Sequence, residues 1–310
     1  MITTPCQILG IDVGGTKIAA GVIAWPGGRI IAKRTIPTLP SRGGRSVLDD
    51  VIGLARGFAG EGVHAIGLGV CELVDRDGNL ASGSCLRWLD LPVGAELSMI
   101  APTVIEADVR AAALAEAQFG AGRGLQSFLY VTVGTGISCS LVINGVPWLG
   151  AHGATGTMAS SPLSIPCEHC AHISRRTLEE IAAGPALVAR FNAAAGHAAS
   201  GQEVLAAAAA GNALAEKIVA SAGEALESQI GLLVNTLDPE AVIIGGGLGL
   251  SDGPYWDHFI AAPRRHIWSG VHRDLPILRA TTGTDAGWIG AATRAAEHFS
   301  VIPSSTTATP

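Results

Sequence analysis

Charge is scarce in this chain. Asp, Glu, Lys and Arg make up 15% of the 310 residues, and 20 basic against 26 acidic side chains leave a net charge of -6. A protein that tracks a nucleic-acid backbone needs a basic stripe to neutralise phosphates. No such stripe or motif is present, so no nucleic-acid partner is expected. No apolar run reaches the roughly 20 residues of a membrane-spanning helix without charge or strong breakers, so no membrane association is expected either. The first residues lack the basic stretch and apolar segment of a secretory leader. Six cysteines, at positions 6, 71, 85, 139, 167 and 170, are too few and too unevenly spaced to suggest a disulfide framework. A reduced, cytoplasmic location is the expectation from these absences.

Apolar residues are plentiful. At 48% they fill a sizeable core, and the length suits two modest domains or one large one. The most informative stretch is LGIDVGGTKIA, residues 9–19. An apolar run ends at Asp12, turns through Gly14 and Gly15, and resumes after Thr16 and Lys17. Strand, glycine hairpin and second strand would bring backbone N–H groups, a hydroxyl, an ammonium and a carboxylate to one point. That combination suits polyphosphate and its magnesium.

The pattern predicts strands over 7–13, 17–23, 29–35, 65–70, 103–106, 128–133, 137–143, 241–244 and 276–279. It predicts helices over 47–59, 97–100, 107–119 and 285–296, and a long helical stretch over 203–237, continuous or broken near Gly211 or Gly223. Asn144–Gly145 is a hairpin signal. Residues 150–171 read as irregular, and the end from Pro303 as disordered. A second strand–turn–strand unit passes through Gly134, Thr135 and Gly136, and a third apolar strand runs into Gly245–Gly247. Two α/β domains with mixed sheets follow, a small one over 1–120 completed by helix 285–298 and a large one over 121–284, with the glycine turns gathered in a cleft between them.

Four blocks carry a family resemblance: IDVGGTKIAAGVI (11–23), VTVGTGISCSLVINGVPWLGAHGATG (131–156), DPEAVIIGGGL (238–248) and DAGWIGAA (285–292). In order and spacing, from about residue 7 to 298, they resemble the ROK family of repressors, open reading frames and sugar kinases. The resemblance implies the two-domain actin-like ATPase fold shared with sugar kinases and Hsp70, with ribonuclease H-like mixed sheets. The chain opens at the phosphate strand rather than on a helix-turn-helix, which implies the kinase branch. It implies ATP and Mg2+ as cofactors, a small carbohydrate or cyclitol as partner, and a homodimer. The 203–237 stretch is either the dimer face the family commonly uses or core packing.

By the same resemblance Asp12 organises magnesium, while Gly14, Gly15 and Thr16 meet phosphate. Lys17 contacts phosphate, is solvated or pairs with a surface acid. Thr135 and Gly136 belong to the second phosphate loop, and Gly246 and Gly247 let the nucleotide lie against backbone. Asp108 is the expected base toward a primary hydroxyl, its isolated alternative being helix-start capping. The family usually shows Asn before this Asp, where Ala107 stands here. Thr157 and Ser160 stand where Glu and His usually hold ring hydroxyls, and Ser84 where an Asn is common. Cys71–Glu72 replaces Pro-Gly, so Glu72 either enters the pocket or faces solvent. Arg110 replaces another Asn and reads as a helix surface residue. His152 is either a substrate contact or a loop residue. These departures fall on the acceptor side, which favours an amino sugar or sugar-like cyclitol of secondary metabolism over plain glucose. A conventional glucokinase, an N-acylhexosamine kinase and a noncatalytic sugar- or nucleotide-binding regulator are the alternatives. Cys167, His169, Cys170 and His172 form either a rebuilt zinc (Zn2+) site or a metal-free loop.

Overall fold

The computed structural model describes residues 6–60, 62–166, 170–194, 196–261 and 263–299. The chain divides into two units. One comprises residues 1–123, 146–155 and 285–310, the other 124–145 and 156–284. The segment 146–155, placed by the sequence pattern in the second domain, thus groups with the first.

The first unit is built on β1 (Cys6–Val13), β2 (Lys17–Trp25), β3 (Arg29–Pro37), β4 (Val63–Val70) and β5 (Thr103–Ala107), in the order β3-β2-β1-β4-β5. β1, β2 and β3 are antiparallel neighbours, whereas β1, β4 and β5 run parallel. Their apolar runs are buried throughout, as parallel strands covered on both faces require. Helix α1 (Gly44–Ala59) buries Val47, Leu48, Val51 and Ala55 against the sheet at helical spacing. The short α2 (Val93–Ser98) starts four residues and ends two residues earlier than the pattern predicts, because Val93 and Leu97 are its buried positions. Helix α3 (Asp108–Phe119) follows β5 directly.

In the second unit β6 (Ser127–Val133) and β7 (Ile137–Ile143) form a hairpin. Asn144 and Gly145, both at positive φ, then turn the chain into β8 (Val146–Pro147), which pairs with β7 at the edge of this sheet. The stretch read as irregular contains half of a hairpin, β9 (Pro162–Pro166) with β10 (Ile173–Thr177). Helices α4 (Glu179–Ala182), α5 (Gly184–Ala193), α6 (Gly201–Ala209) and α7 (Ala213–Leu237) follow. The break between α6 and α7 falls at Gly211, at φ +84°, and Asn212 caps α7 by accepting from Leu214 and Ala215 N–H. Gly223 lies inside α7. Ile218, Val219, Ala222, Leu226 and Ile230 of α7 belong to the core of this unit. Next come β11 (Ala241–Gly245), α8 (Pro254–Ala261), α9 (Pro263–His266) and β12 (Ile277–Arg279). β11 pairs in parallel with both β6 and β12. Among the described residues no single helix is long and apolar enough to cross a membrane; α6 and α7 qualify only as a pair bent by 115°. The end from Pro303 lies outside the described residues.

Helix α10 (Ala286–His298) closes the first unit, and glycine decides how closely it packs. A methyl group on Gly10 of β1 would sit 1.8 Å from the Trp288 carbonyl oxygen, and one on Gly67 of β4 only 1.7 Å from that of Ala291. On its other side Gly290 faces the Ala111 carbonyl of α3 at 1.6 Å by the same construction. The backbone of α10 therefore lies directly on the sheet. Gly67→Ala must push the helix away, so its unfolding free energy in a urea titration is expected to fall by at least ~2 kcal/mol, at the severe end of overpacking.

Candidate active site

Three parallel strands of the first unit end at one edge. β1 delivers Asp12 and Val13. β4 delivers Val70, with Cys71 and Glu72 just beyond it. β5 delivers Ala107, and Asp108 opens α3. Val13 pairs with Val70, and Val70 with Ala107. Open α/β sheets bind ligands outside the carboxyl ends of such strands, where diverging loops leave a crevice.

Asp12 lies under the first turn of α10. A methyl on Gly287 would come within 2.4 Å of its Oδ2, so glycine leaves the room the carboxylate occupies. Burial pushes the Asp12 carboxyl up to about 7; the Asp108 charge adds to the rise and Lys17 opposes it. Burial also raises Asp108 to about 6. The Val109 N–H, donating to its Oδ1 at 2.6 Å, and the Arg110 charge oppose that rise, while Glu72 adds to it. Asp108 is the first helical residue rather than the cap. Ala107 holds the cap position and offers no side-chain bond.

The hairpin after Asp12 is tied from both sides. Gly14 N–H donates to the Lys17 carbonyl at 3.0 Å. The buried Thr38 donates its hydroxyl to the Gly14 carbonyl at 2.6 Å and its N–H to that of Thr16 at 3.1 Å. Thr38 carries no sequence signal, being one polar residue in a polar loop. Thr16 and Lys17 are exposed at the tip.

The second unit repeats the device at the ends of β6 and β11. Gly134 N–H closes the turn on Gly136 O at 2.9 Å, and Gly184 N–H at the start of α5 donates to Gly134 O at 2.8 Å. Thr135 and Gly136 are exposed. Glu179, which the sequence pattern passes over, accepts from Ile137 N–H at 2.9 Å, and its Oε2 would lie 2.9 Å from a methyl on Gly136. Gly246 has φ +82°, and a methyl there would strike the Val133 carbonyl oxygen at 2.4 Å. The amide nitrogen of Gly247 is 3.6 Å from where a methyl on Gly134 would sit, so the two glycine turns adjoin.

The acceptor-side residues fare differently from expectation. Glu72 does not face solvent. It is buried and accepts from Ser82 Oγ at 2.5 Å, Ser84 N at 3.0 Å, and Cys85 N and Leu86 N at 2.7 Å each. Its carboxylate organises the 82–86 loop, and Ser84 is exposed on that loop. Arg110 is not a surface residue. It is buried, with Nε on Glu106 at 2.5 Å, one terminal nitrogen on the Gly153 carbonyl at 2.6 Å and the other on that of Val74 at 2.8 Å. His152 is exposed beside the anchored Gly153. Thr157 and Ser160 are exposed in the second unit, where the Ser160 hydroxyl donates to the Thr157 carbonyl at 2.8 Å. Among the described residues no three His, Cys, Asp or Glu side chains gather as a metal site. Cys170 and His172 are exposed, and Cys167 and His169 lie outside the described residues.

Two glycine turns at the ends of parallel strands, with a carboxylate pair at the edge of the first sheet, define the class of actin-like phosphate-binding α/β proteins. The ROK family sequence model matches residues 8–298, and the chain belongs to that family. It is 32% identical over 297 residues to the bifunctional enzyme NanE/NanK of Brucella melitensis, covering 94% of this chain and 54% of that protein. It therefore spans about half the length of that relative. It is 30% identical over 252 residues to an N-acetylmannosamine kinase of Vibrio vulnificus, covering 80% and 85% of the two chains. A ROK family glucokinase from Streptomyces griseus, solved with glucose and AMPPNP, superposes with a TM-score of 0.80 at 28% identity, covering 94% of this chain and 99% of its own.

The raised carboxyl of Asp12 has a consequence for stability. Folding favours its protonated form, so its stabilising contribution is complete below the ordinary value of 3.8 and is lost as pH rises through about 7. Asp12→Asn removes this penalty. In magnesium-free buffer at pH 8 the variant is expected to melt above the unsubstituted protein, with a smaller gain at pH 5, by differential scanning fluorimetry.

Proposed function

We propose that this chain is an ATP-dependent carbohydrate kinase that phosphorylates the primary hydroxyl of a hexose or an N-acylhexosamine. The observation that carries this reading is Asp108, a half-buried carboxylate raised to about 6 and placed with Asp12 at the same sheet edge. Family membership and the named activities of the relatives support it.

Phosphoryl transfer depends on alignment and charge stabilisation. Gly14, Gly15, Thr16 and Lys17 hold donor phosphate through backbone N–H groups, a hydroxyl and an ammonium. Thr135 and Gly136 hold the phosphoryl group being transferred. Gly246 and Gly247 let the nucleoside rest on backbone. Two adjacent carboxylates, short of counter-charge, fit a hard divalent cation, and Asp12 would hold it or its water shell. Mg2+, when bound, neutralises charge on the phosphates. Asp108 takes the proton of the acceptor hydroxyl on Oδ2, since Oδ1 is turned to Val109 N–H.

A second reading keeps the chemistry and changes the acceptor to an amino sugar or sugar-like cyclitol of secondary metabolism. The exposed hydroxyls of Thr157 and Ser160, standing where the family usually has Glu and His, favour it. A screen of ADP formation over glucose, N-acylhexosamines, amino sugars and cyclitols separates the readings. Glucose or an N-acylhexosamine as the best acceptor removes the second, and no acceptor-dependent ADP with any compound leaves a noncatalytic regulator. Asp108→Asn is expected to lower turnover roughly 10²–10⁴-fold with melting temperature retained. The pH profile of kcat/KM should rise through about 6, because the base works only when ionised. Near-normal turnover by the variant would remove Asp108 from this role.

A further inference from the structure

Two thiols lie at the edge that carries Asp12 and Asp108. Cys71 follows β4, and its N–H bonds the carbonyl of Val13, the residue after Asp12, at 3.2 Å. Cys85 sits on the 82–86 loop that Glu72 grips. Glu72, the residue after Cys71, accepts from Cys85 N–H at 2.7 Å, which brings the two cysteines together, and each thiol acts on the titration of the other. Both residues are half-buried. A methyl on Gly15 would lie 3.2 Å from Cys85 Sγ, so this sulfur rests against the tip of the phosphate hairpin. None of the roles assigned above uses either thiol.

We propose that Cys71 and Cys85 form a peroxide-sensitive dithiol whose oxidation to a disulfide switches the site off. The effect on catalysis rests on the kinase reading; the bond itself does not. Cys85 attacks hydrogen peroxide, forming an S–O bond as the O–O bond breaks, and water leaves. The Cys71 sulfur then attacks the sulfenic sulfur. The S–S bond forms, the S–O bond breaks, and the departing hydroxide leaves as water with the Cys71 proton. Two thiols and one peroxide become one disulfide and two waters. Each sulfur gives up one electron, and the peroxide takes both.

The Cys71 hydrogen bond favours the Cys85 thiolate and lowers its thiol below the ordinary value, which makes Cys85 the attacking sulfur. The other described cysteines are placed differently. Cys6 and Cys139 are buried, and burial pushes the Cys139 thiol up to about 12. Cys170 is exposed on another unit.

Closing the bond draws the sulfurs to about 2.05 Å. Cys85 Sγ, which rests against the hairpin tip at Gly15, shifts as the bond closes. A misplacement on the order of 1 Å at a reacting site can cost 10²-fold in rate.

The test treats the full chain with hydrogen peroxide and maps the alkylated, non-reduced digest by mass spectrometry. The expected result is a linked Cys71–Cys85 peptide, with acceptor-dependent ADP formation lowered at least about tenfold and recovered with dithiothreitol. Cys85→Ser, or Cys71→Ser if the first fails to fold, should keep its activity under the same peroxide. Absence of the linked peptide overturns the proposal, and so does a linked protein that turns over normally. A linked protein whose reduced form shows no activity with any acceptor fails the kinase reading instead. Binding of an ATP analogue, followed by fluorescence in both redox forms, then decides the switch: equal affinity overturns it.

Discussion

The first unit depends on confining two like charges. Asp12 and Asp108 reach the same sheet edge from β1 and from the end of β5; burial raises both carboxyls, and a neighbouring charge adds to each rise, that of Asp108 at Asp12 and that of Glu72 at Asp108. Such a pair persists only where the surrounding fold determines it. Here the fold does so by letting α10 lie directly on backbone. Gly10, Gly67 and Gly290 remove the side chains that would hold the helix off, and Gly287 leaves the volume that the Asp12 carboxylate fills. The close packing that stabilises the unit and the strain at its functional edge come from one helix.

Much of this was legible from residues alone, for a physical reason. The glycine turns that end strands are local features, so 12–17, 134–136 and 245–247 declare themselves by spacing. The pairing of β1, β2 and β3, the break at Gly211 and the start of α3 follow from local propensity in the same way. The hairpin of β9 and β10 was hidden because its strands carry Ser, Arg and Pro in place of an apolar alternation. The shift of α2 arose because its burial is set by two residues, Val93 and Leu97, too few to give a period.

Buried charge was the least legible part. Arg110 sits on a helix whose pattern suggests an exposed position, and nothing nearby in sequence says that its partners are the carbonyls of Val74 and Gly153. Glu72 likewise spends its carboxylate on a loop beginning ten residues on. These contacts are long-range and go to backbone, so no periodicity encodes them. They matter because an unpaired buried charge is costly, whereas one with its hydrogen bonds filled makes a rigid joint. Thr38 and Glu179 belong to the same class: each holds a glycine turn from outside it through backbone bonds.

The departures from the usual family pattern can be weighed on these grounds. Cys71, Glu72, Ala107 and Arg110 look like independent losses in sequence. In space they form a connected set. Arg110 draws the 74 and 153 segments together beside Asp108, Glu106 holds its guanidinium and also accepts from Ala107 N–H, and Glu72 arranges the loop that carries Ser84 and Cys85. A site decaying without function would leave some of these buried groups unsatisfied, since each stray charge is a stability cost that only drift would tolerate. Glu72 and Arg110 are instead well supplied with partners: the first with the 82–86 loop, the second with Glu106 and the carbonyls of Val74 and Gly153. The replacement residues are held by one another and by backbone, so the edge that carries Asp108 is built rather than vacated.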